Sequence, residues 1–348
     1  MEIRIYDREL KFRGIVEQFT SLLWHRFYNS TGDFELKCPI IPENVRLLTL
    51  GSIVYVRGKD EAGVVESVNY NANGQGLTMT IKGRFLDCYM TRRLIPTMNF
   101  EGLAEVGMRD AFEACTEIPL VELGELQGFT EEVTFQVTYY ENLLKYEQNI
   151  AQGAAFGYRF RPDLDTRKIT FEIYKGKDHT INQMERQKVV FSDEYDNMIT
   201  ADLTENDQLY YNICIVGGQG EADYKTFVTV GDDESVGLDR RELYYEATDV
   251  LSNGLTWAQY LEALKQRGQV ELDNHPLARS FECKVIPDSN FVYRKDYDVG
   301  DIVTVQKTAW GVSEDLRLTE VSEAYEHEKP TVTLTFGTPL PSVINWGG

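Results

Sequence analysis

Histidine and cysteine are scarce: four and five in 348 residues, and neither type is grouped. His25, His179, His275 and His327 show no HxxxH spacing. Cys38, Cys88, Cys115, Cys214 and Cys283 form no CxxC pair, so neither a zinc site nor a disulfide framework is expected and the cysteines read as buried free thiols. Each histidine reads as an ordinary polar side chain. Cations are also in deficit, 35 Lys plus Arg against 56 Asp plus Glu, for a net charge of -21. Affinity for nucleic acid comes from neutralising phosphates, so specific nucleic-acid binding is not expected. No apolar run approaches the roughly 18 residues that a membrane-spanning helix needs. The opening Met1-Glu2-Ile3-Arg4-Ile5-Tyr6-Asp7 alternates charged and apolar residues and has no basic stretch followed by an apolar one. No secretory signal is read from it, and the expectation is a protein made in the cytosol.

Catalytic words are missing as well. There is no G-x-S-x-G elbow and no phosphate-binding G-x-x-x-x-G-K-[ST], and Gly217-Gly218-Gln219-Gly220 has the wrong spacing for a dinucleotide site and reads as a turn between strands. Asp296, Asp298 and Asp301 would open a calcium loop only with Gly at its sixth position and Glu at its twelfth. Those positions hold Asp301 and Lys307, so the three read as solvated turn carboxylates. No cofactor and no metal is expected. A carboxylate pair for glycoside hydrolysis is a matter of spatial separation, which 56 acidic residues in one dimension cannot display.

What the chain does contain is β pattern. Residues 64–68, 77–81, 133–137, 169–173, 209–216, 227–230, 281–286, 302–305 and 332–336 alternate apolar with polar side chains or form short β-branched runs between Gly, Asn and Asp turns. A helix is expected from Thr256, whose hydroxyl and Gln259 make a capping box, with Trp257, Tyr260, Leu261 and Leu264 on one face and Gly268 closing it. Helices are also expected over 103–115 and 140–152. One internal echo stands out: Leu50-Gly51-Ser52-Ile53-Val54-Tyr55-Val56 against Val299-Gly300-Asp301-Ile302-Val303-Thr304-Val305, each followed by a second strand and then a third ending on Gly, at Gly83 and Gly337. Duplication accounts for the echo; convergence of two Gly-led strands is the other account of seven residues.

Several words then carry a resemblance. They run Tyr6-Asp7-x-x-Leu10, Gly14-Ile15-Val16, Ser21-Leu22-Leu23-Trp24, Tyr28, Gly32-Asp33-Phe34-Glu35-Leu36, Leu47-Leu48, Gly51-Ser52-Ile53-Val54, Glu61-Ala62-Gly63-Val64-Val65-Glu66, Gly83-Arg84-Phe85-Leu86 and Arg92-Arg93. In this order and spacing they resemble the tail-hub proteins of long-tailed bacteriophages, prophages and related particles. The likeness continues through Gly176-Lys177-Asp178-His179-Thr180, with His where that family usually has Arg, Asp239-Arg240-Arg241-Glu242, Leu264-x-x-x-Gly268, Phe281-Glu282, the stretch from Asp296 to Val305, and the final strand to Gly337.

The resemblance implies a β-dominant α+β chain with two similar small β-barrels and two mixed α/β insert domains, like a phage baseplate hub. The expected division is a first barrel over 1–97, an α+β domain over 98–185, a second barrel from 186–235 and 285–337, an inserted helix-containing domain over 236–284, and a tail over 338–348. It implies a non-enzymatic homotrimer whose six barrels give pseudo-sixfold symmetry. Such a ring would join tail-tube or distal-tail rings to spike or fibre proteins at the virion tail tip, around a channel through which DNA passes. Gly32, Asp33, Phe34, Gly51, Gly83, Arg84, Arg92, Arg93, Gly300, Asp301 and Gly337 are the expected structural-motif positions, and the chain is expected to be the hub alone. A cell-wall hydrolase and a carbohydrate-binding host-recognition protein are the alternatives from other classes.

Overall fold

The computed structural model describes the whole chain except residues 74–75, 138, 222–223, 249, 287–288, 327–329 and 338–348. His327 and the expected tail therefore lie outside the described residues. The N-terminal part holds β1 (Ile3–Tyr6), β2 (Phe12–Val16), β3 (Ser21–Phe27), β4 (Asp33–Pro39), helix α1 (Pro42–Leu47), β5 (Ile53–Val56), β6 (Ala62–Asn73) and β7 (Gly76–Phe85). Its strands alternate as written: Leu22, Trp24, Phe34, Leu36, Met79 and Ile81 face one core, between polar neighbours on the other face.

A middle region follows, with β8 (Leu94–Ile95), β9 (Met98–Leu103), α2 (Ala104–Ala114), β10 (Val121–Leu123), β11 (Glu132–Val137), β12 (Glu141–Asn142), α3 (Leu143–Gly153), β13 (Gly157–Asp163) and β14 (Lys168–Tyr174). The helices expected over 103–115 and 140–152 are α2 and α3. Their apolar faces close on β13 and β14 around Met108, Ile150, Phe160 and Phe171.

The chain then makes β15 (Val190–Ser192) and β16 (Met198–Asn206), leaves the sheet for β17 (Ile213–Gly217), β18 (Phe227–Gly231), β19 (Glu242–Glu246) and α4 (Trp257–Asp273), and returns through β20 (Ala278–Val285), β21 (Ile302–Lys307), β22 (Val312–Tyr325) and β23 (Thr331–Gly337). The capping box at Thr256 and Gln259 forms as expected. Gly268 does not end the helix, which continues to Asp273. A Cβ at Gly268 would sit 2.6 Å from Val216 and 2.9 Å from Val230, so this glycine lets α4 lie close against β17 and β18. Three other expectations change. β17 and β18 do not join the second large strand set: they form a separate three-stranded sheet with β19, and α4 covers it around Val216, Tyr260 and Leu264. The inserted unit thus begins near residue 207, not 236. Residues 209–212 are not strand, because Asn206 Oδ1 accepts from the Gln208 amide and the Tyr210 amide bonds to Asp207, turning the chain before β17. Finally, among the described residues the strands run as an open sheet in the order β16-β20-β23-β22-β3-β4-β7-β6-β5-β1-β2, with β21 and β15 continuing from β22; no pairing closes a barrel.

Within that sheet one succession occurs twice. The order β3-β4-β7-β6-β5-β1 in the N-terminal part is matched by β16-β20-β23-β22-β21-β15, strand for strand in the same chain order. The outermost pair differs in sense, β1 lying antiparallel to β5 and β15 parallel to β21. The two sets meet where β3 pairs with β22.

Candidate interaction site

The echoed heptads build the same turn. Gly51 and Gly300 both have positive φ, +82° and +97°, the region in which glycine avoids the Cβ clash of other residues. The Gly51 amide donates to Val65 O at 2.8 Å and the Val65 amide returns to Ser52 O at 2.8 Å. In the second set Gly300 donates to Leu318 O at 2.7 Å and Leu318 returns to Asp301 O at 2.8 Å. One residue later each partner strand bulges, at Glu66 and at Thr319. Ladder registers then equate Phe34-Glu35-Leu36-Lys37 with Phe281-Glu282-Cys283-Lys284. Three of these four residues are identical, a signal present in the sequence beside the heptad echo.

The strand ends match differently from the sequence pairing of Gly83 with Gly337. Gly83 lies opposite Phe34 as Phe336 lies opposite Phe281, which puts Gly337 in the place of Arg84. The reason is packing. A Cβ at Gly83 would meet Val64 O at 1.7 Å and the Phe34 ring at 2.8 Å, whereas Phe336 fills the equivalent space and packs on Phe281. Gly32 is also set by contact, its Cβ position lying 2.4 Å from the Phe85 ring.

On the outer face of the first set, charged side chains gather beside the β3–β22 seam. Arg84 holds Glu66 through two bonds of 2.8 and 2.9 Å, and Arg92 stands 3.6 Å from the same carboxylate. Lys37 and Lys82 flank Glu35 at 2.8 and 2.6 Å, and their hydrogen bonds hold its carboxyl below the usual range. His25 lies 4.0 Å from Asp33 and 3.8 Å from Glu320, both pushed upward by burial. Arg93 stands apart from this group and instead donates to Thr116 O and Glu117 O at 2.8 and 2.9 Å. The eleven expected motif residues thus fall into separate places: Asp33, Arg84 and Arg92 on a charged surface, Gly51, Gly300 and Asp301 at the two turns, Arg93 as a loop anchor, Phe34 in the core, and Gly32, Gly83 and Gly337 at close-packed backbone.

Sequence reasoning missed the polar junction beneath the seam. Arg26, on the same face of β3 as Leu22 and Trp24, is buried; its Nε lies 2.6 Å from Glu61 and its Nη1 2.5 Å from Asp298. Arg294 reaches the other Glu61 oxygen at 2.7 Å, and Lys59 holds both Glu323 oxygens at 2.6 Å. Burial pushes Glu61 up, but Arg26 and Arg294 outweigh it and hold the carboxyl at about 2. Period two along 22–26 places Arg26 inward, which is the sequence signal for a buried cation. Tyr28 completes the junction: its amide bonds to Thr319 O, its hydroxyl donates to Ala155 O at 2.8 Å and accepts from the Gly176 amide at 3.2 Å, and its ring covers Gly300.

Asp301 accepts from the Lys177 and Asp298 amides at 2.6 and 2.8 Å and lies 3.6 Å from His179. Asp296 accepts from the Val292 amide at 2.7 Å. These aspartates bond to their own loop and its neighbours rather than standing solvated. Among the described residues no group of three His, Cys, Asp or Glu is placed to hold a metal ion. The cysteines are free; Cys38, Cys88, Cys214 and Cys283 are buried and Cys115 is half-buried.

The fold built around this junction is that of phage tail proteins. The tail protein of Neisseria meningitidis MC58 superposes with a TM-score of 0.61 at 13% identity, over 96% of this chain and 95% of that one. The 43 kDa tail protein of prophage MuSo2 from Shewanella oneidensis gives 0.60 at 14%, over 97% and 99%. A chain of the lidded Francisella PdpA–VgrG complex gives 0.50 at 10%, over 97% of this chain and 53% of that one. No curated protein matches. Residues 2–338 match the model of the Siphovirus ReqiPepy6 Gp37-like proteins, and the chain belongs to that family of siphovirus tail proteins.

Proposed function

We propose that this tail protein is the structural hub of the tail tip, three copies forming a ring of six similar lobes that joins the tail tube or distal tail ring to the spike or fibre proteins. The observation that carries the reading is the repeated strand succession with its repeated turn and bulge. A chain holding two like units lets a threefold ring present six like surfaces, so it can seat on a sixfold ring without a symmetry mismatch. The PdpA–VgrG complex, whose chain shares the fold, fits a protein that works while bound to a partner. In this reading the hub is structural, and the junction carboxylates of Glu61 and Asp301 serve to hold arginine side chains and a backbone amide. Three chains of -21 around a channel would repel phosphate, so DNA passes without adhering.

Negative-stain imaging with class averaging tests the reading. Threefold particles with a central hole and six lobes are expected; single compact particles, both alone and with a tail-tube ring protein, would overturn it.

A further inference from the structure

The seam between the two strand sets is also a template for what each set leaves open. In the seam, β22 past its bulge pairs with β3, Glu320 opposite Phe27, Glu323 opposite Trp24 and Tyr325 opposite Leu22. The strand equivalent to β22 is β6 and the one equivalent to β3 is β16. Among the described residues, β6 past its bulge pairs only with β7, and β16 pairs only with β20, so each keeps one free edge. The edge missing from the first set is thus the one the second set uses, and the reverse.

We infer that β16 of one copy pairs antiparallel with β6 of the next copy in the register of the internal β3–β22 seam. This rests on the ring reading and names the contact that makes the ring. Carrying the seam's register across through the bulges places Ser67 opposite Asn206, Tyr70 opposite Leu203 and Ala72 opposite Ala201. Two of the three core-side pairs and all three polar-side pairs agree in character. Tyr70 and Ala72 meet Leu203 and Ala201 on the side that continues the core, where Val68 meets Glu205, a carboxylate already held by Arg279, while Ser67, Asn69 and Asn71 meet Asn206, Thr204 and Asp202 on the polar side. Leu203 and Ala201 already pack on the second core, and Tyr70 is 53% exposed on the free edge. Unpaired edges of this kind are what strand addition uses. Because both junctions join a β3-type edge to a β6-type edge, the contact is head-to-tail and the same operation repeats from unit to unit, which in the ring reading closes after three copies.

The test is a cysteine pair. Tyr70→Cys with Leu203→Cys, oxidised in air, is expected to give disulfide-linked dimers and trimers and nothing larger on non-reducing gels. Tyr70→Cys with Thr204→Cys, which the register puts on opposite faces, is expected to give none. Tyr70→Lys, at an exposed site, should leave the melting temperature of the monomer unchanged and weaken association at least about tenfold. Trimers by mass that never link through the first pair would overturn the edge pairing while leaving the ring reading intact. Monomers with no link at any concentration would overturn both.

Discussion

At Gly300 two demands coincide: φ is +97°, and a Cβ would lie 2.3 Å from the Tyr28 ring, which is itself held by Ala155 and Gly176. Gly58 has a similar φ of +88° but open space around it. Gly58→Ala should therefore cost about 1 kcal/mol, the strain of the left-handed backbone alone, and Gly300→Ala at least about 2 kcal/mol more, with Gly300→Val worse again. Chemical denaturation of the variants measures the difference, and equal costs would show that Tyr28 yields freely. Asp87, in the turn after β7, makes a second residue-level prediction. Burial pushes its carboxyl from 3.8 to about 7. With the folded value above the unfolded one, the stability linked to this group is fully present below about pH 3.8 and is lost as pH rises through about 7. Asp87→Asn should raise the melting temperature near pH 8, by the equivalent of up to about 4 kcal/mol, and the two proteins should converge near pH 4. Glu61 works in the other direction. Held at about 2, it contributes stability above 4.5 that is lost as pH falls through about 2, so both proteins should weaken in strong acid.

Among elements, the junction around Arg26 decides how β3, the segment at 59–61 and the loop at 293–298 hold together. Arg26→Met would leave Asp298 without its cation and Glu61 with Arg294 alone in a buried site. Removing one member of such a network costs about 3–5 kcal/mol. Urea unfolding should show that loss, and a double change of Arg26→Met with Glu61→Gln should recover part of it; full additivity would mean the two side chains do not interact. Element type was legible wherever one period ran unbroken: α2, α3, α4 and the alternating strands follow directly from the pattern. Position within the sheet was less so. Residues 209–216 and 227–230 read as strands, but whether they pair with β19 or with the second large set depends on α4 packing through Gly268, a contact between distant residues. The heptad echo located the Gly51 and Gly300 turns. The Phe-Glu-x-Lys match at 34–37 and 281–284 went unread, because 71 residues of insert lie between β16 and β20 and obscure the correspondence. Arg26 and Glu61 resemble any surface pair until Trp24 and Leu22 fix the inward face.

For the whole molecule, charge sets the terms of assembly. Copies carrying -21 each repel at a distance, and raising salt from about 0.05 to about 0.5 M shortens the screening length from about 14 to about 4 Å. Association through strand edges and apolar side chains should therefore strengthen with salt, a trend sedimentation can follow. Association that weakens instead would point to an interface of opposed charges.

The insert between β16 and β20 also bears on how the chain acquires its shape. In the first set the equivalent strands, β3 and β4, are joined by residues 28–32, and the hairpin closes at small entropic cost. In the second, Asn206 and Ala278 come together only across the whole insert, which has its own core around Val216, Tyr260 and Leu264. Local closure is fast and distant closure slow. The first hairpin should thus be complete before its counterpart can compete for β4 or β7, and the second should wait until the insert has collapsed. Two copies of one strand order in a single polypeptide invite crossed pairing during synthesis; here the unequal loops separate the two events in time.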